Sequence, residues 1–299
     1  MLKMWFSRLT GALAGLSLLG AAPAPQTAAP PQGHPAMWKL ADRDTTIYLF
    51  GTFHLLPTGR DWRTPAFDKA LASSGELVLE IGNIDDQNAI ALAMLKLGTA
   101  SGLPPVAERV PPEKRAALKA MIADSGLPEQ VFDGLKTWTV GLLLVGIAFK
   151  RLNLDPNSGV ERTLTGPWKQ SGKPVAGLET AEQQFGFFDH LSEDSQRAFL
   201  GAVLDSPQDM MKQFQAMLQA WVNGDLDGIA RTFDDETMLS PELRKVLMAD
   251  RNARWADWLK ARMDKPGTVF VAVGAGHLAG RDSVEAMLAA KGLKAVRVQ

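Results

Sequence analysis

Two of the four histidines in this 299-residue chain sit in matching contexts, Leu49-Phe50-Gly51-Thr52-Phe53-His54 and Ala272-Val273-Gly274-Ala275-Gly276-His277. Each reads as an apolar strand, a glycine, two residues and then the imidazole. A strand that ends in glycine delivers the following side chains to the carboxyl edge of a sheet, where open α/β sheets bind their ligands. Glu80 closes the apolar run Leu77-Val78-Leu79, and a charge inside such a strand needs a partner. Two imidazoles and a carboxylate are a common three-ligand set for a catalytic divalent metal, which lowers the pKa of a bound water and polarises a carbonyl. The plainer readings are a hydrogen-bonded histidine at a strand end and a Glu80 paired with an arginine such as Arg251.

Further candidates surround this set. Arg251-Asn252, on a helix over 241–260, can point a cation at a substrate carboxylate or an oxyanion, or form a surface ion pair. Glu161 reads as an early-helix carboxylate that complements the dipole. Glu179 ends a strand as Glu80 does, and either reaches the same edge or caps the helix that follows beside Thr180. His34 and His190 read as bystanders, and Phe185-Gly186-Phe187-Phe188 as core packing. Gly274-Ala275-Gly276 lacks the third glycine or lysine that a phosphate loop requires.

The elements that must position these residues follow from periodicity. Met37 to Leu40 and Thr46 to Phe50 read as strands joined by the turn Ala41-Asp42-Arg43-Asp44. A helix over Pro65 to Ser73 precedes a strand over Glu76 to Ile81, whose continuous apolar run suits burial on both faces. Helices follow over Gln87 to Leu97, Pro112 to Ser125 and Gln130 to Arg151, with another from near Gly159. A strand returns at Lys173 to Leu178. The three- and four-residue apolar spacing of Met211, Phe214, Met217, Leu218 and Trp221 belongs to a second helical stretch that runs to about Arg262. Thr268 to Val273 reads as a strand, Gly280 to Ala290 as a helix and Lys294 to Val298 as a final strand. The fold class is therefore α/β (α+β): a central mixed sheet of N- and C-terminal strands, in a single domain over 37–299, with helical insertions at about 85–170 and 180–263.

The chain as a whole narrows the partners. Lys3 and Arg8 lead into the apolar run Leu9 to Ala22 and the Pro/Ala-rich Pro23 to Pro31, the layout of a cleaved signal peptide over 1–30 and too short for a stable membrane anchor. The expected location is periplasmic or secreted. The apolar stretch Trp138 to Phe149 is likewise too short to span a bilayer and reads as a buried helix. With no cysteine, neither disulfides nor a lipid-modified cysteine braces the chain. Thirty-two basic residues against thirty-three acidic ones, with no basic block, argue against nucleic acid and leave a small molecule, peptide or protein as partner. Monomer and dimer both remain open.

Trp38-Lys39-Leu40, the run Ile47 to His54, Leu79-Glu80, Gly177-Leu178-Glu179-Thr180, Arg251-Asn252 and Val273 to Leu278 resemble the TraB/GumN family in order and spacing, across almost all of the mature chain. That family includes the animal Tiki metalloproteases, which cleave Wnt. The resemblance implies paired Gly-x-x-His motifs (Gly51 to His54, Gly274 to His277) that form a divalent-metal site with Glu80, on a fold similar to erythromycin esterase and the ChaN haem-binding protein. Manganese or cobalt is the metal implied; ligand chemistry alone also allows zinc. The expected function is an exported metal-dependent hydrolase acting on peptides. A binding protein that sequesters a peptide or haem-like ligand, and a metal-free esterase-like hydrolase, are the alternatives.

Overall fold

The structure, a computed structural model, describes residues 33–57, 60–151, 154, 158–205, 207–234 and 240–299; the leader expected over 1–30 lies outside them. Six strands form one sheet: β1 (Met37–Ala41), β2 (Thr45–Thr52), β3 (Glu76–Ile81), β4 (Val175–Glu179), β5 (Gly267–Gly274) and β6 (Val296–Arg297). Their order is β4-β3-β5-β2-β1-β6. The four neighbours β4, β3, β5 and β2 run parallel, and β1 is antiparallel to both β2 and β6. The mixed sheet is thus closed from the two ends of the chain, with β4 supplied from the middle.

The apolar runs of β3 and β5 are continuous because both faces are covered. Phe50, Leu77, Leu79, Phe270 and Ala272 face one core with Phe67, Trp168 and Trp221. Alternate residues Leu49, Val78, Val269, Val271 and Val273 face a second core with Trp255, Leu259 and Leu288. Period-two alternation sends each strand's side chains to opposite faces, so both faces need apolar residues.

The helices are α1 (Pro65–Ser73), α2 (Gln87–Gly98), α3 (Arg115–Ser125), α4 (Glu129–Asp133), α5 (Thr137–Arg151), α6 (Val160–Gln170), α7 (Ala181–Asp189), α8 (Glu193–Val203), α9 (Pro207–Val222), α10 (Leu226–Asp234), α11 (Pro241–Arg244), α12 (Asp250–Arg262) and α13 (Val284–Ala290). Four expectations need correction. The final strand, read over Lys294 to Val298, spans only Val296–Arg297. The helix read over 130–151 is two, because the chain turns at Gly134-Leu135-Lys136 and the Leu135 and Lys136 N–H groups bond to Phe132 and Gly98 carbonyls instead. The helix read from Gly280 begins at Val284, because Gly280 is left-handed (φ 81°) and Ser283 supplies the cap. The strand read from Lys173 starts two residues later, at Val175. The apolar segment 138–149 lies within α5, with Trp138, Val140 and Leu144 buried, and no described helix is long and apolar enough to cross a membrane.

Candidate functional site

The carboxyl ends of the four parallel strands carry the chemistry. β2 runs through Gly51 and Thr52 to His54, β3 carries Glu80 one residue before its end at Ile81, β4 ends with Glu179 and β5 with Gly274, after which a short 3-10 turn (Ala275–Leu278) holds His277. Each glycine makes room for another backbone or side chain. A Cβ at Gly51 would lie 3.1 Å from Ala275 Cα, so the two Gly-x-x-His loops pack directly on each other. A Cβ at Gly274 would lie 3.1 Å from His54 Nε2 and 3.2 Å from Glu80 Oε1. His54 and Glu80 therefore face one spot over bare backbone, and His277 Nε2 is 3.9 Å from Glu80 Oε1. The structure brings together all three residues of the expected ligand set.

Each imidazole is oriented through its other nitrogen. His54 Nδ1 meets Glu161 Oε1 at 2.7 Å, and Glu161 also accepts from the Thr52 hydroxyl. Glu161 does stand in the first turn of α6, as its position suggested, but it reaches out of the helix to the neighbouring loop. A Cβ at Gly159 would run into the His54 carbonyl, so glycine there lets α6 approach. On the other side, Asn252 donates through Nδ2 to the Asp282 carbonyl at 2.7 Å, leaving its Oδ1 as acceptor for His277 Nδ1 at 2.6 Å. That network assigns the proton to Nδ1 and the lone pair to Nε2. Such carboxylate or amide partners fix the tautomer and ring orientation of metal-binding histidines.

Arg251 occupies the centre. Its Nη2 donates to Glu80 Oε2 at 2.6 Å and lies 2.8 Å from Glu179 Oε2, while Nε donates to both Glu179 oxygens at 3.0 and 3.1 Å. Its Nη1 donates to the Leu247 carbonyl and approaches His277 Nε2 at 3.1 Å. All its nitrogens are thus engaged within the protein, and the surface ion-pair reading of Arg251 gives way to a buried one. Glu80 takes up the arginine pairing expected as its plainer reading: Oε2 pairs with Arg251, while Oε1 accepts from Gly274 N at 2.7 Å and faces the histidines. Glu179 is buried against Arg251 and Trp255 Nε1, while Thr180 caps α7 with Gln183.

The charges do not balance. Glu80, Glu161 and Glu179 have 13, 5 and 4 % of their side chains exposed; Glu80 and Glu179 share the buried Arg251, with Arg254 at the rim 3.5 Å from Glu179, and Glu161 faces His54 instead. The surplus negative charge draws a proton to His54, whose pKa is raised to about 9, first by the charge of Glu161 and further by their hydrogen bond and by Glu80. This holds although 62 % of its side chain is exposed, because the carboxylate acts at contact distance. Burial opposes ionisation of Glu80, but Arg251 and the two histidines outweigh it and hold the carboxyl well below the usual range. Burial pushes His277 down to about 3, so it is neutral.

Two contributors were not visible in the pattern. Gln184 donates to Glu80 Oε2 at 3.2 Å and Glu179 Oε2 at 3.1 Å, and no glycine or charge in the sequence marks it. Phe187, expected in the core, is half-buried beneath the Arg251 and Arg254 guanidiniums at 5.8 and 4.9 Å; Phe185 and Phe188 stack on Trp138 as packing residues. His34 and His190 are exposed, with no contact to the cluster.

The chain matches the family model described as the TraB/PrgY/gumN family over residues 36–297. It is 30% identical to the uncharacterized protein YbaP of Escherichia coli (strain K12) over 60% of this chain and 67% of that protein, and matches YbaP of Shigella flexneri to the same extent. An uncharacterized protein of Treponema pallidum is 21% identical over 83% of this chain and 78% of its own length. No solved structure matches significantly.

Proposed function

Because this chain belongs to the TraB/PrgY/gumN family, we propose that the cluster at its sheet edge is a hydrolytic centre, dependent on a divalent metal held by His54, Glu80 and His277 and directed at peptides. The observation that carries this reading is the meeting of His54 Nε2 and Glu80 Oε1 over Gly274, with His277 Nε2 close by. The donor chemistry suits a divalent cation in two respects, although among the described residues no three such side chains stand together as a ready-made metal-binding group. Both rings are held at Nδ1 with Nε2 turned inward, and the ligand set mixes nitrogen and oxygen as catalytic sites do. When bound, such an ion supplies an activated water and a polarised carbonyl. The chain's own work is to hold the ligands: Glu161 and Asn252 fix the two rings, Gly274 N and Arg251 fix Glu80, and Gln184 bridges the two carboxylates. We propose as well that the protein acts outside the cytoplasm, a reading supported by Lys3, Arg8 and the apolar and Pro/Ala-rich stretches after them.

One observation favours a second reading. Arg251 Nη1 stands 3.1 Å from His277 Nε2, so a metal ligated there must take that lone pair from the guanidinium. A metal-free hydrolase would leave the contact in place and use His54 as general base; with a pKa near 9, its rate would climb through neutral pH towards that value. The deciding experiment is elemental analysis of the protein purified without chelators, beside His54→Ala and His277→Ala, together with a peptide-cleavage assay. We expect about one manganese, cobalt or zinc per wild-type chain, lost in both variants, and cleavage that stops with chelator and returns with metal. Undiminished cleavage by the chelated enzyme, rising towards pH 9, establishes the metal-free reading instead.

A further inference from the structure

We propose that the outer edge of β4 takes up an extended peptide as an added strand and leads it into the cleft of His54, Glu80 and His277; this rests on the peptidase reading above. β4 ends the sheet. On its inner side Leu77 N donates to Pro174 O at 3.1 Å, and Leu77 and Leu79 stand opposite Val175 and Gly177. In a parallel ladder this register sends the main-chain groups of Pro174, Ala176 and Leu178 inward and those of Val175 and Gly177 outward. No described residue hydrogen-bonds to the outward N–H and C=O groups of Val175 and Gly177. Two donor–acceptor sets, about 6.6 Å apart along the strand, are what alternate residues of an extended chain satisfy in strand addition.

The surroundings favour main-chain recognition over recognition of charge. A cavity of about 630 Å³ opens beside this edge, walled in part by Gly82, Gly177, Thr180 and Gln183. Gly177 is exposed and bare, and a Cβ there would press on Gly82 N at 2.5 Å. Both lysines at the cavity are already engaged, Lys169 by Asp85 at 2.7 Å and Lys173 by the Ser74 carbonyl at 2.8 Å. What remains for a ligand is backbone, which any extended peptide matches. The edge also leads to the chemistry: Glu179 at its end shares Arg251 with Glu80. An added strand would lie about 14 Å, three strand spacings, from β5, whose Gly274 underlies the cleft, a span of about four extended residues, so the docked stretch begins about four residues from the scissile bond.

The test joins hydrogen exchange to modified substrates. Exchange is followed in His54→Ala protein with and without excess reduced, carboxymethylated α-lactalbumin, an unfolded chain. Turnover by wild type is measured on peptides of about ten residues, N-methylated at one amide at a time. We expect the Val175 and Gly177 amides to gain protection. Methylation at alternate positions, starting about four residues from the cleaved bond, should lower kcat/KM about tenfold, the loss of one main-chain hydrogen bond, with the positions between unaffected. Val175→Pro, which removes an outward N–H but no bond to β3, should reproduce the loss on long peptides only. Cleavage without protection of β4, or without any alternation in the methyl effect, overturns the docking edge and leaves the peptidase reading standing. If no peptide is cleaved, the peptidase reading fails and exchange alone decides the edge. Protection that grows with protein concentration in the absence of added chain assigns the edge to a second copy and overturns the proposal.

Discussion

At the scale of single residues, the candidate site is built of pairs in which one member orients the ring of the other. His54 without Glu161, or His277 without Asn252, would present either nitrogen to the cleft; with them, Nε2 is the nitrogen that faces inward. This arrangement sets a pH dependence. The folded pKa of His54, about 9, exceeds its ordinary 6.5. Its contribution to stability is therefore complete below pH 6.5 and is lost as pH rises to about 9. A metal must displace that proton, whereas His277, at about 3, has none to give. Apparent metal affinity should rise about tenfold per pH unit between pH 6.5 and 9 and then level off, and calorimetry at pH 7 in buffers of different ionisation heat should register about one proton released. No release at pH 7 would mean that His54 is not a ligand. Gly274 allows a steric test of the same point. Its φ of −50° and ψ of 134° suit any residue, so Gly274→Ala should fold with little loss of stability. Its methyl group would press on His54 Nε2 and Glu80 Oε1, and metal uptake and turnover should fall by at least an order of magnitude. Unchanged metal content in that variant would show that the two groups do not bind a shared ion.

At the scale of elements, the reading of strands from apolar runs succeeded because β3 and β5 are covered on both faces and carry no polar interruption before their functional ends. Helix boundaries were harder where a local turn competes with periodicity, as at Gly134-Leu135-Lys136. The helical run over 241–262 holds a feature that periodicity does not reveal: a π-turn at Lys245–Ala249 immediately before Arg251. Such turns add a residue to the helix and recur at functional sites; here Arg251, Asn252 and Trp255 all come to face the site from α12. α13 contains the opposite of an optimised contact. Glu285, in its first turn, buries both carboxylate oxygens with no well-formed hydrogen bond among the described residues, and burial, only partly offset by its own N–H and the nearby Ser283 hydroxyl, raises its pKa from 4.5 to about 8. The folded state thus binds a proton that the unfolded chain releases, so this residue's effect is neutral below pH 4.5 and destabilising as pH rises towards 8. Between pH 4.5 and 7 the cost is on the order of 3 kcal/mol. Glu285→Gln should be more stable than wild type at pH 8, equal to it near pH 4, and flatter across the interval in denaturant titrations. A parallel pH profile in the two proteins would refute the assignment.

At the scale of the whole molecule, the part legible in the sequence was the part that repeats or lies within one element: the paired Gly-x-x-His motifs, Glu80 at a strand end, and a sheet drawn from both ends of the chain. What escaped depends on contacts between distant elements. Glu161 becomes a partner of His54 only because α6 crosses the β2 loop, and Gln184 reaches the carboxylates only because α7 lies over the ends of β3 and β4. The partition of the interior was equally hidden. Besides the two cores on the sheet there is a third, built from Val106, Leu118, Phe132, Leu144 and Leu200 of the helical insertion, with no strand residue in it. Its ties to neighbouring helices include the Trp138 stack on Phe185 and Phe188, the Lys136–Asp189 ion pair and the bonds from Ser192, the cap of α8, and from Ser195 within it to Glu242 of α11. An insertion with its own core and few polar ties is expected to open as a unit below the free energy of global unfolding. Leu144→Ala, which removes a fully buried side chain of α5, should cost about 2–5 kcal/mol locally. Exchange should quicken throughout α3, α5 and α8, while the amides of β3 and β5 stay protected and metal uptake at the sheet edge persists. Equal acceleration in β5 would show instead that the insertion and the sheet form one cooperative unit, in which case the candidate site at the sheet edge would share the insertion's stability rather than stand apart from it.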